Sequence, residues 1–408
     1  MKVKETKGIT LIALVITIVV LLILAGVVIA TLNGNDNIIK NANTAVGKYN
    51  EKVNEEQGIL NTLEEKLREY TNGGSSNPTT PEEPGTPPTV DSNGLATKPT
   101  TIKPDKNSNL QIVIPAGFAP AILQTGTTQS LPGEDGRVKN KMPASQWNNI
   151  TADDINKGIV IVDVDGNEFV WIPITDTKKF ARSDWGRNNT SAETSTEDAY
   201  WEDTTTTEYT NMVTSVTHNK GFYVARYEAS ANSDSSKAQS KRGATTWNIS
   251  QTDAITKSAN YNSALHSHLM YGIEWDSILN WLKGNATISS STDGRTKTME
   301  LADIQDNSHS WGNYWTSTGD AFTNSRSKQT TGTSEYWKAN NIYDLAGNVR
   351  EWTQEKWSTG TYRADRGGSY DFYGEDTGYG YYYPVALRFN TEASVTSDAI
   401  GFRASFYL

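Results

Sequence analysis

The sequence contains no cysteine. That absence excludes disulfides, a thiolate nucleophile, zinc–thiolate sites and iron–sulfur clusters, because each needs a sulfur this chain does not have. Histidine is scarce as well: His218, His266, His268 and His309 are the whole supply. An imidazole-based iron centre would have to draw on them, and His266-x-His268 is the one close spacing. No third histidine follows at a ligand spacing, so the pair reads better as a polar feature than as a metal centre. There is no Gly-x-Ser-x-Gly sequence to signal Ser–His–Asp catalysis. Positive charge is not in excess either. A net charge of −10 argues against nucleic acid as a partner, since binding phosphates requires a basic surface.

What is present is unevenly distributed. Residues 8–33, GITLIALVITIVVLLILAGVVIATLN, carry no charged side chain. The run is long enough to cross a bilayer, which takes about 20 apolar residues. Lys2, Lys4 and Lys7 precede it. A basic N-terminus stays cytoplasmic, so a single-pass protein of the cell membrane with an extracellular C-terminal part is expected. A cleaved secretory signal is the plainer alternative, but its apolar core is shorter, at about 7–15 residues.

The stretch Lys7-Gly8-Ile9-Thr10-Leu11-Ile12 resembles a type IV prepilin leader. The resemblance implies processing between Gly8 and Ile9. It departs from the pilin pattern at Ala13, where pilins carry a glutamate, and that puts filament assembly in doubt. Beyond the apolar run, Ile39, Val46, Val53, Leu60 and Leu67 recur every seventh residue, with Ala42, Tyr49, Glu56, Leu63 and Tyr70 three behind. This a/d pattern predicts a helical stalk over 34–71, open to self-association through residues 39–70 or to packing on its own domain. Residues 72–106 are dominated by Pro, Thr, Gly and Ser and predict a spacer.

The region 107–408 reads as one α+β domain. All twelve tryptophans and 17 of the 19 tyrosines fall here, a heavy aromatic supply that suits a core rather than a disordered chain. Residues 159–164 and 168–173 flank Asp165-Gly166, a strong hairpin signal. Residues 221–228 read as a strand, and 270–282 as a helix ending near Gly284. The polar stretches 183–210 and 287–298 read as loops.

Within this region, NIYDLAGNVREWT (341–353), RGGSY (366–370), LRF (387–389) and GFR (401–403) occur in that order. Together they resemble the formylglycine-generating enzymes, or sulfatase-modifying factors. Residues 222–228, Glu274-Trp275 and Trp315-Thr316-Ser317 match weaker family positions. The resemblance implies a C-type-lectin-like fold. It also implies copper-dependent oxidation by paired cysteines, which this chain cannot perform and which removes any role for copper. A structural Ca2+ is implied on Asp344, the carbonyls of Gly347 and Val349, and Glu351; the plainer reading pairs the two acids with Arg350 or with turn amides. Hard oxygen donors suit calcium.

One tract stands out. YDFYGEDTGYGYYY (370–383) holds Tyr370, Asp371, Phe372, Tyr373, Asp376, Tyr379, Tyr381, Tyr382 and Tyr383. Tyr among Gly and Asp is the composition of adaptable binding loops. The expectation is a non-catalytic adhesion or binding protein that recognises a cell-surface protein or glycan through these aromatics, about half of them exposed. Some relatives of the fold are diversified at this surface by retroelements. A surface enzyme with a non-cysteine metal site and a pilin-like subunit remain the alternatives.

Overall fold

The computed structural model describes residues 87–408, apart from 106–107, 125–135, 186–199, 262–264, 290–295, 316–326, 358–359 and 376–381. The leader residues Gly8 and Ile9, the apolar run 9–33 and the heptad stalk 34–71 lie outside the described residues. Among the described residues no helix is long and apolar enough to cross a membrane. All of them fall in the second of the chain's two units, Glu83–Leu408.

The fold is mixed α/β, built on two sheets. The strands are β1 (Ala119–Leu123), β2 (Val138–Lys141), β3 (Val160–Val162), β4 (Glu168–Pro173), β5 (Tyr200–Trp201), β6 (Gly221–Ala225) and β7 (His266–Leu269). The remaining five are β8 (Arg350–Trp357), β9 (Tyr362–Arg366), β10 (Phe389–Glu392), β11 (Ile400–Phe402) and β12 (Ala404–Tyr407). The helices are α1 (Ala152–Asn156), α2 (Thr207–Asn219), α3 (Gln251–Ala259), α4 (Gly272–Leu282) and α5 (Leu301–Gln305). An antiparallel sheet of seven strands runs β7-β12-β6-β4-β3-β1-β2. A sheet of five strands runs β10-β9-β8-β11, with β5 added to the far end of β8.

The hairpin read from sequence is β3–β4, with Val162 opposite Glu168. Asp163 fixes its turn by accepting from Asn167 N at 2.8 Å and Asn167 Nδ2 at 2.9 Å. Alternation on β4 explains why both faces of the large sheet are covered. Phe169 and Trp171 join one core with Phe118, Trp147, Tyr223 and Phe406, and Val170 and Ile172 join the other with Met212, Ile278 and Trp311. α4 is buried on nearly every side, as a helix apolar all round must be. Glu274 Oε2 accepts from Tyr271 N at 2.8 Å to start it, and Gly284 at φ +78° follows its end.

Three sequence expectations are corrected. The spacer does not extend to residue 106. Val90 bridges Ala96, Thr100–Ile102 pairs with Ile112–Ile114, and Leu95 and Ile102 are buried. The domain therefore includes the described residues from 87 onward, because a few apolar side chains among the Thr and Pro reach the core as a ribbon. The stretch 287–298 contains a second ribbon, Thr287–Ser289 with Thr296–Thr298, consistent with the strand preference of Thr. The stretch 183–210 contains β5 and the first turns of α2. α2 escaped notice because its polar, β-branched sequence has little helical propensity. What holds it is Met212 and Val216, one turn apart and both fully buried.

Phe169 meets Phe118, Tyr261 and Phe406 at ring separations of 6.1, 4.8 and 4.9 Å. Phe169→Ala is expected to destabilise the domain by about 3–5 kcal/mol. Val164→Ser, at a position 64% exposed, should stay within about 0.5 kcal/mol. Urea unfolding of both variants checks the contrast.

Candidate functional site

The signature segment folds into a tight loop between the ribbon Lys338–Ala339/Ile342–Tyr343 and β8. Asp344, Gly347 and Asn348 all sit at positive φ, at +55°, +75° and +57°. Gly347 has a second reason to be glycine: a Cβ there would lie 2.4 Å from the carbonyl oxygen of Asn313. Asn348 ties the loop together. Its Nδ2 donates to Glu228 Oε2 at 2.5 Å, and its Oδ1 accepts from Asn313 Nδ2 at 3.1 Å and Gln329 N at 2.9 Å. Glu228 Oε1 also accepts from Val349 N at 3.0 Å.

The loop encloses an unbalanced set of charges. Glu228, Asp344 and Glu351 are buried together with the guanidinium of Arg403. Arg403 holds Glu351, donating from Nε to both carboxylate oxygens at 3.1 Å and from Nη2 to Oε1 at 2.6 Å. Asp344 Oδ2 accepts from Gly332 N at 2.7 Å, while its Oδ1 is buried without a hydrogen-bond partner. Burial, reinforced by Glu351, pushes the Asp344 carboxyl up to about 7. Burial and the neighbouring Asp344 and Glu351 also raise Glu228 well above the carboxylate range.

For a calcium ion, the orphaned Asp344 Oδ1 is a fitting hard donor in a region short of positive charge. Glu351, by contrast, already faces a guanidinium. Among the described residues no three His, Asp or Glu side chains converge on a metal position. Backbone carbonyls such as those of Gly347 and Val349 would therefore have to complete the set.

A second buried network lies beneath the RGGSY and LRF motifs. Arg366 Nη2 donates to Asp276 Oδ1 at 3.0 Å, and Arg388 Nη2 to Asp276 Oδ2 at 2.5 Å. Glu355 accepts from Arg388 Nε at 3.0 Å and Arg182 Nη2 at 2.9 Å. Burial alone would raise Glu355, but Arg388, Arg366 and Arg182 hold it down at about 2. Glu202 caps α4 by accepting from Gly272 N and Ile273 N. Burial, with Glu355 nearby, pushes Glu202 up to about 8. Arg366 and Arg388 are visible in the sequence as motif letters only, and Arg182 belongs to no motif. Glu228 closes the weaker match at 222–228, whereas Asp276, Glu202 and Glu355 lie outside the recognised motifs, and only their burial reveals them.

The aromatic tract sits above these loops on a polar and aromatic floor. Gly368 leads into it at φ +72°, where a Cβ would meet the Tyr383 carbonyl at 2.3 Å. Ser369 Oγ donates to Asp371 Oδ1 at 2.6 Å, and Trp315 N to the Phe372 carbonyl at 2.9 Å. Tyr383 N donates to the Tyr373 carbonyl at 2.7 Å, which brings the two ends of the tract together.

Tyr370, Asp371, Phe372, Tyr373 and Tyr382 are half-buried, and Tyr383 is buried. Asp376, Tyr379 and Tyr381 lie outside the described residues. The expectation was that about half of the aromatics are exposed; the described ones are half-buried or buried, because they pack on one another. Phe372 meets Tyr383 at 4.1 Å, Tyr383 meets Phe389 at 5.3 Å, and Tyr373 meets Trp315 at 4.3 Å. Arg350, ion-paired to Asp365 at 3.1 Å, lies 4.6 Å from the Phe389 ring and 5.6 Å from that of Phe372.

His266 and His268 do not form a metal pair. His266 is exposed and stacks on Tyr407, whereas His268 is buried. His268 Nδ1 faces the His266 carbonyl at 2.9 Å, while Nε2 meets both Glu274 Oε2 and Ser405 Oγ at 3.0 Å. A Ser–His–carboxylate relay needs the acid on the nitrogen away from the serine, so this cluster lacks the relay geometry. Burial pulls the His268 pKa down, but Glu274, together with Glu208 and the His266 carbonyl, outweighs it, and the net shift is upward. The stabilisation is therefore complete below the unfolded value of about 6.5 and is lost as pH rises through the folded value. His268→Gln should remove that part of the decline in stability above pH 6.5. Unfolding curves of both proteins across pH 5–9 measure it, and parallel pH profiles would contradict a charged His268–Glu274 pair.

The model of the sulfatase-modifying factor enzyme 1-like domain matches residues 198–405, just over half of the chain. No curated protein matches it. Among solved structures, the chain is similar to CarF (16% identity, TM-score 0.28, 46% of this chain and 87% of that one). It is similar to PvdO from Pseudomonas aeruginosa (15%, 0.27, 47% and 82%). It is also similar to Treponema denticola variable protein 1 (14%, 0.22, 76% and 99%). These TM-scores are too low to carry weight beside the domain match. With the signature loop and both arginine motifs inside the matched residues, the chain belongs to the sulfatase-modifying factor enzyme 1-like domain family.

Proposed function

We propose that this protein is a non-catalytic binding or adhesion protein of the cell surface, with a C-type-lectin-like head that recognises a protein or glycan through the tract 370–383. The observation that carries this reading is the floor under the tract. Tyr373 and Trp315 pack at a tilt and half-exposed, while Tyr383, Phe389 and Arg350 fix the aromatics from below. Aromatics already held in place lose little conformational freedom on binding, which favours affinity. The thiolate chemistry of the family's oxidase has no residue to run on, since the sequence lacks cysteine. In the same reading the apolar run 9–33 anchors the chain in the membrane after a prepilin-like leader, and the stalk 34–71 supports self-association. The full chain should bind members of a glycan and cell-surface protein array. Tyr373→Ala and Trp315→Ala should each weaken the strongest signal by about tenfold or more, as truncated hot-spot aromatics do. Undiminished signal from both variants would remove the tract from the binding surface.

We further propose that a structural Ca2+ occupies the signature loop, held by Asp344 Oδ1, the carbonyls of Gly347 and Val349, and an edge of Glu351. When bound, the ion supplies positive charge to an enclosed set of carboxylates. Saturating calcium should raise stability by about 2.7 kcal/mol at a hundredfold excess over its dissociation constant. Asp344→Ala, which removes the side-chain oxygen, should abolish that gain. Identical thermal midpoints in chelator and in calcium would leave the loop to Arg403 alone.

A further inference from the structure

A separate feature lies at the end of the five-stranded sheet where β5 joins it. The strand register places Trp201 opposite Lys356, Lys356 opposite Arg363, and Arg363 opposite Thr391. Directly opposed residues project from the same face, so these side chains form one row across β5, β8, β9 and β10. The adjacent row contains Tyr200 opposite Trp357 and Tyr362 opposite Glu392, and it points to the other side, where Tyr200 is buried. Trp201 is 42% exposed, and the Lys356 side chain 31%.

The row is electrostatically unusual. Cations directly opposite each other on antiparallel strands repel and destabilise a sheet. Lys356 Nζ lies 3.6 Å from the exposed Asp203 carboxylate and 4.5 Å from the Trp201 ring centroid. Among the described residues, the hydrogen bonds of Arg363 go to the uncharged carbonyls of Gly360 at 3.2 Å and Tyr362 at 2.9 Å. One exposed carboxylate thus accompanies two cations, in a chain whose net charge is −10. A like-charge pair placed beside an exposed indole is the arrangement an anionic, ring-shaped ligand would relieve.

We propose that this row binds an acidic polysaccharide, a glycan bearing carboxylate or sulfate groups. The apolar face of a sugar ring stacks on Trp201, and the acid groups pair with Lys356 and with the Arg363 fork, which suits planar carboxylates and sulfates. Adjacent strands lie about 4.8 Å apart, close to the length of one sugar ring. Each side chain of the row therefore meets a successive residue of an extended glycan. The negative charge of the whole chain opposes a polyanion at long range, so binding is local and weakens with salt.

The site shares no residue with the aromatic tract, and the test separates the two. The full chain in detergent micelles is titrated with heparin, with polygalacturonate and with neutral dextran. Binding to at least one acidic polymer and not to dextran is expected. Trp201→Ala and the double variant Lys356→Gln/Arg363→Gln should each weaken it at least tenfold, and Tyr373→Ala should leave it unchanged. Lys356→Gln alone should weaken binding without lowering the unfolding midpoint, because it removes a repulsion. Failure to bind either polymer would overturn the proposal. So would equal binding of dextran, or an undiminished affinity in Trp201→Ala, which would reduce the row to a plain charged surface. Equal binding to phosphatidylserine vesicles with the same dependence on all three side chains would also overturn it.

Discussion

Arg403 is the point on which the two sheets depend. It lies between β11 and β12, consecutive strands that belong to different sheets. Its guanidinium donates to the Ala225 carbonyl of the large sheet at 2.9 Å and to the Tyr343 carbonyl beside the signature loop at 2.8 Å. It also grips the Glu351 carboxylate of the small sheet. One planar fork with five donors can do this and an ammonium cannot. Fully buried, it is also committed: removing either partner of a buried ion pair leaves an uncompensated charge, which costs about 3–5 kcal/mol.

The second network follows the same logic at larger scale. Arg366, Arg388 and Arg182 hold Asp276 and Glu355, with Glu202 beside Arg182, and they draw in α4, β8, β9 and the residues next to β5 and β10. Well-packed apolar residues could hold these elements at similar stability. What ion pairs add is geometric definition, since each guanidinium admits few arrangements of its partners. The aromatic tract rests on loops defined in this way, and its described rings are correspondingly packed. The Lys356–Arg363 row is the opposite case, a place where charge is left unresolved at the surface.

Much of this was legible in the sequence, for identifiable reasons. The Asp165-Gly166 turn, the strands that flank it and the apolar spacing of α4 are local signals, and the structure places all three where the pattern did. The signature motifs located the loop, and Gly347 and Gly368 explain themselves once their positive φ and close contacts are seen. What the sequence concealed is non-local. Glu228 meets Asn348 and Val349 across 120 and 121 residues, and Asp276 meets Arg388 across 112. No spacing rule announces such pairs. α2 was hidden because tertiary burial of Met212 and Val216, rather than propensity, makes it a helix. The extent of the aromatic packing was hidden too, since composition cannot tell a ring stacked on a neighbour from one facing solvent.

The position of β12 has a kinetic meaning. It lies between β7 and β6 in the large sheet, yet it follows β6 by about 180 residues of chain. Until residues 404–407 insert, β6 presents an open edge and β7 has no neighbour in the sheet. Pairing over such a separation requires a large loop to close before any contact rewards it, which makes folding slow. The intermediate that waits exposes apolar strand on both sides of a gap, a surface prone to association with other chains. Speed of closure, rather than final stability, then decides how much of this protein reaches its folded form.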